Sequence, residues 1–236
     1  MDASGYVTLS RQSGLLSKME TIANNIANVS TTGFRREGVV FSEFITRAGD
    51  APSLSIGYGN GRVVDLSQAG IGQTGGSFDF AIQGDGFFLV DTPQGQQLTR
   101  SGRFTPGPDG TLRTADGDAV LDGGGSPIFI PPDARNVAVA QDGTLSADGK
   151  PLAQIGLWKP TDPLTLKHQS GTMFTANGVE PATGSQILQG ALEDSNVDPL
   201  TEVATMISVQ RAYELGQSFL DREDERARNV ISTLGR

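Results

Sequence analysis

The chain has no cysteine, one histidine and one tryptophan in 236 residues, and aromatic side chains make up 6% of it. The lack of cysteine excludes disulfides, thiol nucleophiles and thiolate metal sites. With so few rings and 31 glycines, the composition favours many turns and thin β layers over one thick core. Basic residues are short too, 18 against 27 acidic, for a formal net charge of −9. That balance argues against nucleic acid as a partner, since a sequence-independent grip sets Lys and Arg opposite phosphates. No apolar run approaches the roughly 20 residues that span a bilayer, so no stable membrane insertion is expected. Met1-Asp2-Ala3-Ser4-Gly5 has neither the basic nor the apolar region of a cleaved signal peptide. Composition alone reads as cytoplasmic.

What the chain does have lies first at its two ends. From about Val7 to Val29, Leu9, Leu16, Met19, Ala23 and Ile26 follow helical three- and four-residue steps, with Gln12 filling a gap. Leu15, Ile22 and Val29 form a second row at intervals of seven. Together they make a stripe too wide for one partner helix. Gly33 and Phe34 predict the helix-end turn, with Gly33 left-handed and Phe34 packing back on Val29 in a Schellman ending. The closing helix starts at Asp198 as N-cap and Pro199 at the first position, with Glu202 near the positive dipole end. Val203, Met206, Tyr213, Leu220, Ala227, Ile231 and Leu234 share one row, interrupted by Gln210, Gln217 and Asp224, with Ile207 beside it. Buried amides in such a row would fix register among several helices. A helix of this length, about 50 Å, is too long for the rest of the chain to cover, so part of its apolar face must meet other chains.

Between the helices the pattern changes. Residues 37–74 read as an extended arm with short strands, anchored by Phe41, Phe44 and Ile45 and interrupted at Gly49-Asp50-Ala51-Pro52 and Gly57-Tyr58-Gly59-Asn60-Gly61. Residues 75–189 alternate short apolar runs with turn signals, the mark of an antiparallel sheet or barrel. Phe78–Ile82 alternates at period two, and Gly86–Val90 reads as a buried strand. Tight hairpins are predicted at Asp109-Gly110, Asp116-Gly117, Asp142-Gly143 and Asp148-Gly149, because both central residues can take positive φ. Asp109-Gly110-Thr111-Leu112 recurs as Asp142-Gly143-Thr144-Leu145, which predicts two similar hairpins. The fold class is therefore α+β: N- and C-terminal helices pairing as a coiled-coil-like bundle (1–36 and 190–236), the arm, and a central antiparallel β-rich domain (75–189).

Chemistry is sparse. A Ser-His-Asp site would need His168, and no Gly-x-Ser-x-Gly elbow accompanies it; an exposed loop histidine is expected. Asp116, Asp118 and Asp122 do not continue into a calcium loop with a terminal Glu and read as turn residues. The run Asp221-Arg222-Glu223-Asp224-Glu225-Arg226 with Arg228 places Asp224–Arg228 and Glu223–Arg226 at helical pair spacings. A solvated face is the plainer reading, and selection of neighbours in an array the sharper one. Asn24, Asn25 and Asn28 are poor helix residues; a frayed helix end and amides bonding across helices account for them equally well.

Ile22-Ala23-Asn24-Asn25-Ile26-Ala27-Asn28-Val29-Ser30-Thr31-Thr32-Gly33-Phe34-Arg35 resembles the N-terminal signature of the flagellar rod and hook proteins. Leu192-Glu193-Asp194-Ser195-Asn196-Val197-Asp198, with Met206–Glu214, resembles that family's C-terminal signature. Ala81-Ile82-Gln83-Gly84-Asp85-Gly86-Phe87-Phe88 and Thr99-Arg100-Ser101-Gly102-Arg103-Phe104 fit its middle. The resemblance covers nearly the whole chain. Leu9-Ser10-Arg11-Gln12 and Asp224–Asn229 favour the proximal-rod branch, with a distal-rod subunit as the alternative. The resemblance implies a structural protein without catalysis or cofactor, exported unfolded through the flagellar type III apparatus without a cleaved signal. That reverses the cytoplasmic reading in favour of a rod in the periplasm. Its partners would be copies of itself, proximal and distal rod proteins and the export apparatus. The implied assembly interface comprises Leu9, Leu16, Met19, Ile22, Asn24, Asn25, Ile26 and Asn28 with Val203, Met206, Ile207, Gln210, Tyr213, Leu220, Ile231 and Leu234. The competing class is a β-rich module that binds or cleaves cell-wall glycan, although no convincing pair of carboxylates supports it.

Overall fold

The computed structural model describes residues 3–48 and 51–234, without the side chains of residues 3–7, 41–60, 227, 231 and 234. The anchors expected at Phe41, Phe44 and Ile45, the break at Gly49-Asp50, and the side chains of Ala227, Ile231 and Leu234 therefore lie outside the description. The chain divides into two units, one of the terminal helices with Glu37–Val63, the other of Asn28–Arg36 with Val64–Val197.

In the first unit α1 (Ala3–Ala27) packs against α2 (Pro199–Leu234), and a hairpin of β1 (Glu37–Ala48) and β2 (Ala51–Val64) joins them. Asp198 caps α2 as its position predicts: its carboxylate accepts the Leu200 amide at 3.0 Å and the Thr201 hydroxyl at 2.6 Å, and Pro199 opens the helix. The arm foreseen as short strands is instead two strands of 12 and 14 residues paired with each other. Gly38 and Gly61 sit in ordinary contact: a Cβ on Gly61 would meet Val40 at 3.5 Å, and one on Gly38 the Val63 carbonyl at 3.9 Å.

The helix expected to reach Val29 stops at Ala27. Asn28 opens a turn whose carbonyl accepts the Thr31 amide, while its side-chain oxygen accepts the Thr31 hydroxyl, both at 3.1 Å. This local bonding competes with helix continuation. Gly33 is left-handed (φ 71°) but makes no Schellman ending: its amide donates to the Glu193 carbonyl at 2.8 Å. The real demand for glycine here is space, since a Cβ would lie 2.3 Å from the Ser101 backbone nitrogen. Phe34 is fully buried and meets the edge of the His168 ring at 5.6 Å, so its partner in the fold is His168.

The second unit is all antiparallel sheet apart from one short 3-10 turn. β3 (Ile71–Gln73) pairs with Ala191–Glu193, and β4 (Phe80–Gln83) with Gln186–Gln189, so strands from both ends of the unit lie side by side. β5 (Phe87–Thr92) pairs with β6 (Gly95–Thr99) and is the spine of a nine-stranded sheet. Period-two alternation puts Phe88 and Val90 into one apolar cluster and Phe87 and Leu89 into another, which is why this run is apolar at every position. Phe88 packs edge-on against Phe104 at 5.2 Å. His168 lies in a short strand, half-buried, with its Nε2 2.7 Å from the Gly171 carbonyl; it is a packing residue between Phe34 and Phe174, not an exposed loop histidine.

The two Asp-Gly-Thr-Leu segments are structural twins. Asp109 and Asp142 each accept the amide two residues on, at 3.1 and 2.9 Å. Gly110 and Gly143 each donate to the carbonyl three residues back and each accept from an isoleucine amide, Ile130 and Ile155, at 2.8 Å. Leu112 and Leu145 then enter the same core. Only Asp148-Gly149 has positive φ at both central positions. At the other three the aspartate stays at negative φ, and Asp109 and Asp142 brace their turns through their side chains.

Candidate assembly interface

The helix pair takes in part of the row that the spacing indicates, together with residues beside it. On α2 Glu202 and Val209 are buried, and Met206, Tyr213, Gly216 and Leu220 half-buried; Glu202, Val209 and Gly216 recur at intervals of seven. Val203, Ile207, Gln210 and Gln217 face outward. Gln210 donates to Glu214 at 3.2 Å and Gln217 to the Tyr213 hydroxyl at 3.0 Å, both on the exposed face. They are not buried amides of this chain. On α1, Ile22 and Asn25 are buried, Met19, Asn24, Ile26 and Asn28 half-buried, and Leu9 and Leu16 exposed at 47% and 44%. Leu9, Leu16 and Ala23 thus form an outward row on α1, and Leu200, Val203 and Ile207 one on α2.

The buried amides of the helix pair are Asn25 and Gln12. Asn25 Nδ2 donates to the Glu37 carbonyl at 2.9 Å, and its oxygen accepts the Glu37 amide at 3.0 Å. The same nitrogen lies 3.4 Å from Glu202 Oε2, so one asparagine joins α1, β1 and α2. This satisfies an amide that would otherwise cost about 1–3 kcal/mol. Of the three asparagines weighed above, Asn25 alone is fully buried, and Asn28 belongs to the turn. Gln12 Nε2 donates to the Tyr213 carbonyl at 2.9 Å, an approach that Gly216 permits: a Cβ there would lie 2.1 Å from that nitrogen. The helical pairs Asp224–Arg228 and Glu223–Arg226 form at 2.5 and 2.8 Å, both exposed, and contribute little each.

In the second unit the signature segments converge on buried charge. Glu193, fully buried, accepts Arg35 Nη2 at 2.9 Å, Arg100 Nε at 2.5 Å and the Ala69 amide at 2.9 Å. Arg100 also donates to the carbonyls of Ile82, Gly84 and Gly86. Burial pulls the Arg35 guanidinium below its usual value, and the Glu193 carboxylate opposes that pull. Asn196 completes the junction: its oxygen accepts the Arg36 amide at 2.6 Å, and its nitrogen donates to the carbonyls of Asp65 and Ser67 at 3.0 Å. Gly102 is required because a Cβ would fall 1.7 Å from the Phe80 carbonyl oxygen. Spacing offered no sign of this cluster, whose members lie far apart in the chain and meet only once the sheet forms.

A recess of about 320 Å³ in this unit is lined by hydroxyls, Arg103 and a single carboxylate, Asp116. Glycoside hydrolysis generally uses two. Among the described residues no helix is long and apolar enough to cross a membrane.

Comparison with known proteins identifies the family. Residues 6–35 match the family described as "Flagella basal body rod protein", residues 81–147 "Flagellar hook protein FlgE/F/G D1 domain", and residues 188–233 "Flagellar basal body rod FlgEFG protein C-terminal". The whole chain aligns at 38% identity with the flagellar basal-body rod protein FlgF of Caulobacter vibrioides, over 99% of that protein. At 36% it aligns with FlgF of Mesorhizobium japonicum, again over 99%. FlgG of Bacillus subtilis is 32% identical over 96% of this chain and 97% of its own length. The Arg35–Glu193–Arg100 cluster sits where the three signatures meet, the terminal signatures supply α1 and α2, and the chain belongs to the flagellar basal-body rod protein family.

Proposed function

We propose that the chain is a structural subunit of the flagellar rod, of the FlgF type and in its proximal part, and that it polymerises through its terminal helices to carry motor torque. The observation that carries this reading is the pair of outward apolar rows, Leu9–Leu16 on α1 and Leu200–Val203–Ile207 on α2, in a chain aligned end to end with FlgF proteins. Such rows stabilise little in one chain and are well suited to lateral contacts among helices. Successive contacts that do not close build a helical shaft. Copies of this chain, proximal and distal rod proteins, and the type III export apparatus are the partners this role requires, and the rod in the periplasm is its place.

Deleting residues 199–236 tests the reading: rods and swimming should be lost, and normal rods containing the truncated protein would refute it. A distal-rod role is the second reading, supported by the 32% identity to FlgG. Complementation separates the two, because a proximal subunit restores swimming to a strain lacking FlgF and not to one lacking FlgG.

A further inference from the structure

α1 and α2 run antiparallel, with Gln12 beside Tyr213 and Asn25 beside Glu202. From the first of these contacts, roughly nine residues of α1 remain to Ala3 and roughly twenty-one of α2 to Leu234, so about 18 Å of α2 runs on past the start of the described α1. This end carries Val230, 53% exposed, on a face shared with Arg226, Asn229 and Thr233. Between the helices lies a groove of about 410 Å³ lined by Arg11, Gln12, Leu15, Leu215, Gly216 and Phe219 among others. Its wall is apolar and open to solvent, with Leu215 70% exposed. The glycine leaves a notch in that wall. Gln12 is almost wholly buried there, and its Oε1 has no hydrogen-bond partner, an omission that normally costs free energy.

We propose that this groove receives the end of α2 from a second copy of the chain, with Val230 seated against Leu215 and Phe219. Three observations select this occupant. The end of α2 offers an exposed apolar side chain flanked by polar ones, and the groove offers apolar walls notched at Gly216. Arg11, exposed beside the groove, meets the acidic stretch of α2, where Asp221 and Glu225 make no ion pair among the described residues while Glu223 and Asp224 are paired. Groove and end belong to different parts of one helix, so each copy both receives and inserts. That contact is heterologous, does not close on itself, and propagates. It gives the rod reading, on which it rests, a direction and a register.

The chain has no cysteine, which makes the test direct. Leu215→Cys and Val230→Cys are made separately, each variant is checked for an unchanged unfolding midpoint, and the two are co-expressed with the parent chain in rod-forming cells under mild oxidation. The expected result is a disulfide-linked dimer of the two variants. When both substitutions are placed in one chain, monomer should be lost into a ladder of dimers, trimers and longer species. Lys150→Cys paired with Val230→Cys should give no adduct. If swimming is restored but Leu215→Cys does not link to Val230→Cys, or links only to itself, the head-to-tail contact is overturned while the rod reading stands. If neither the parent chain nor the variants support rods, both fall together.

Discussion

Replacing Glu193 by alanine removes the one carboxylate that, among the described residues, forms ion pairs with Arg35 and Arg100, each 2% exposed. Both guanidiniums then remain buried without an ion-pair partner, and the Ala69 amide loses its acceptor. Breaking a buried ion pair from one side costs about 3–5 kcal/mol. For a chain of this size that lowers the melting temperature by roughly 10 °C. The single tryptophan, Trp158, pairs with Phe87 in the second unit, so its fluorescence follows the unfolding of that unit in urea without contribution from the helices. The midpoint should fall with little change in slope. Glu193→Gln, which keeps the shape, should lose most of the same free energy because the charge is what the arginines require. Replacing all three residues together by apolar ones of similar volume should recover much of the loss, since no buried charge is then left unpaired. A fall of less than about 1 kcal/mol in Glu193→Ala would refute the reasoning and put the cluster in contact with water.

Gly102→Ala should destabilise the second unit severely, by about 3 kcal/mol or more, because the new methyl would overlap the Phe80 carbonyl. Gly117→Ala, at φ 95° but in open space, should cost only about 1–2 kcal/mol of backbone strain; equal effects on the urea midpoint would contradict the geometry. Acid should weaken the fold in a defined window. The Arg113 side chain, with the Thr111 amide, holds the Asp109 carboxyl at about 2, down from 3.8, and the Thr201 hydroxyl, with the Leu200 amide, holds Asp198 below its usual value. Folded values depressed in this way contribute stability above the unfolded value of about 3.9 and lose it as pH falls through the folded one. Between about pH 4 and 2, Asp109→Asn should therefore show a shallower loss of stability than the parent chain; an identical slope would count against the Arg113 pairing.

The helices and the strand content were legible because they rest on local rules. Period 3.6 marks α1 and α2, Asp198-Pro199 marks a start, and Asp-Gly marks each turn. What escaped depends on contacts distant in sequence. The inward row of α2 falls on Glu202, Val209 and Gly216, which a scan for apolar residues passes over because one is charged and one has no side chain. Gln12 and Gly216 make sense only as a pair. Gly33 drew notice as a helix stop, yet its constraint comes from Ser101. Arg35 looked like a residue past a helix end until the sheet brought Glu193 and Arg100 to it. The long β1–β2 ribbon was hidden by glycines that break regular structure in most settings and are tolerated in a two-stranded one.

The account turns on the claim that the outward rows of the terminal helices join neighbouring subunits and do not hold one chain together. Leu16→Asp tests it most directly, because Leu16 lies on the exposed row of α1 at 44% exposure. The measurement is rod assembly and swimming in cells producing the variant, alongside the unfolding midpoint of the purified protein. The account predicts a midpoint within about 0.5 kcal/mol of the parent, as for surface substitutions generally, with rods and swimming lost. Normal rods built from the Leu16→Asp chain would contradict it.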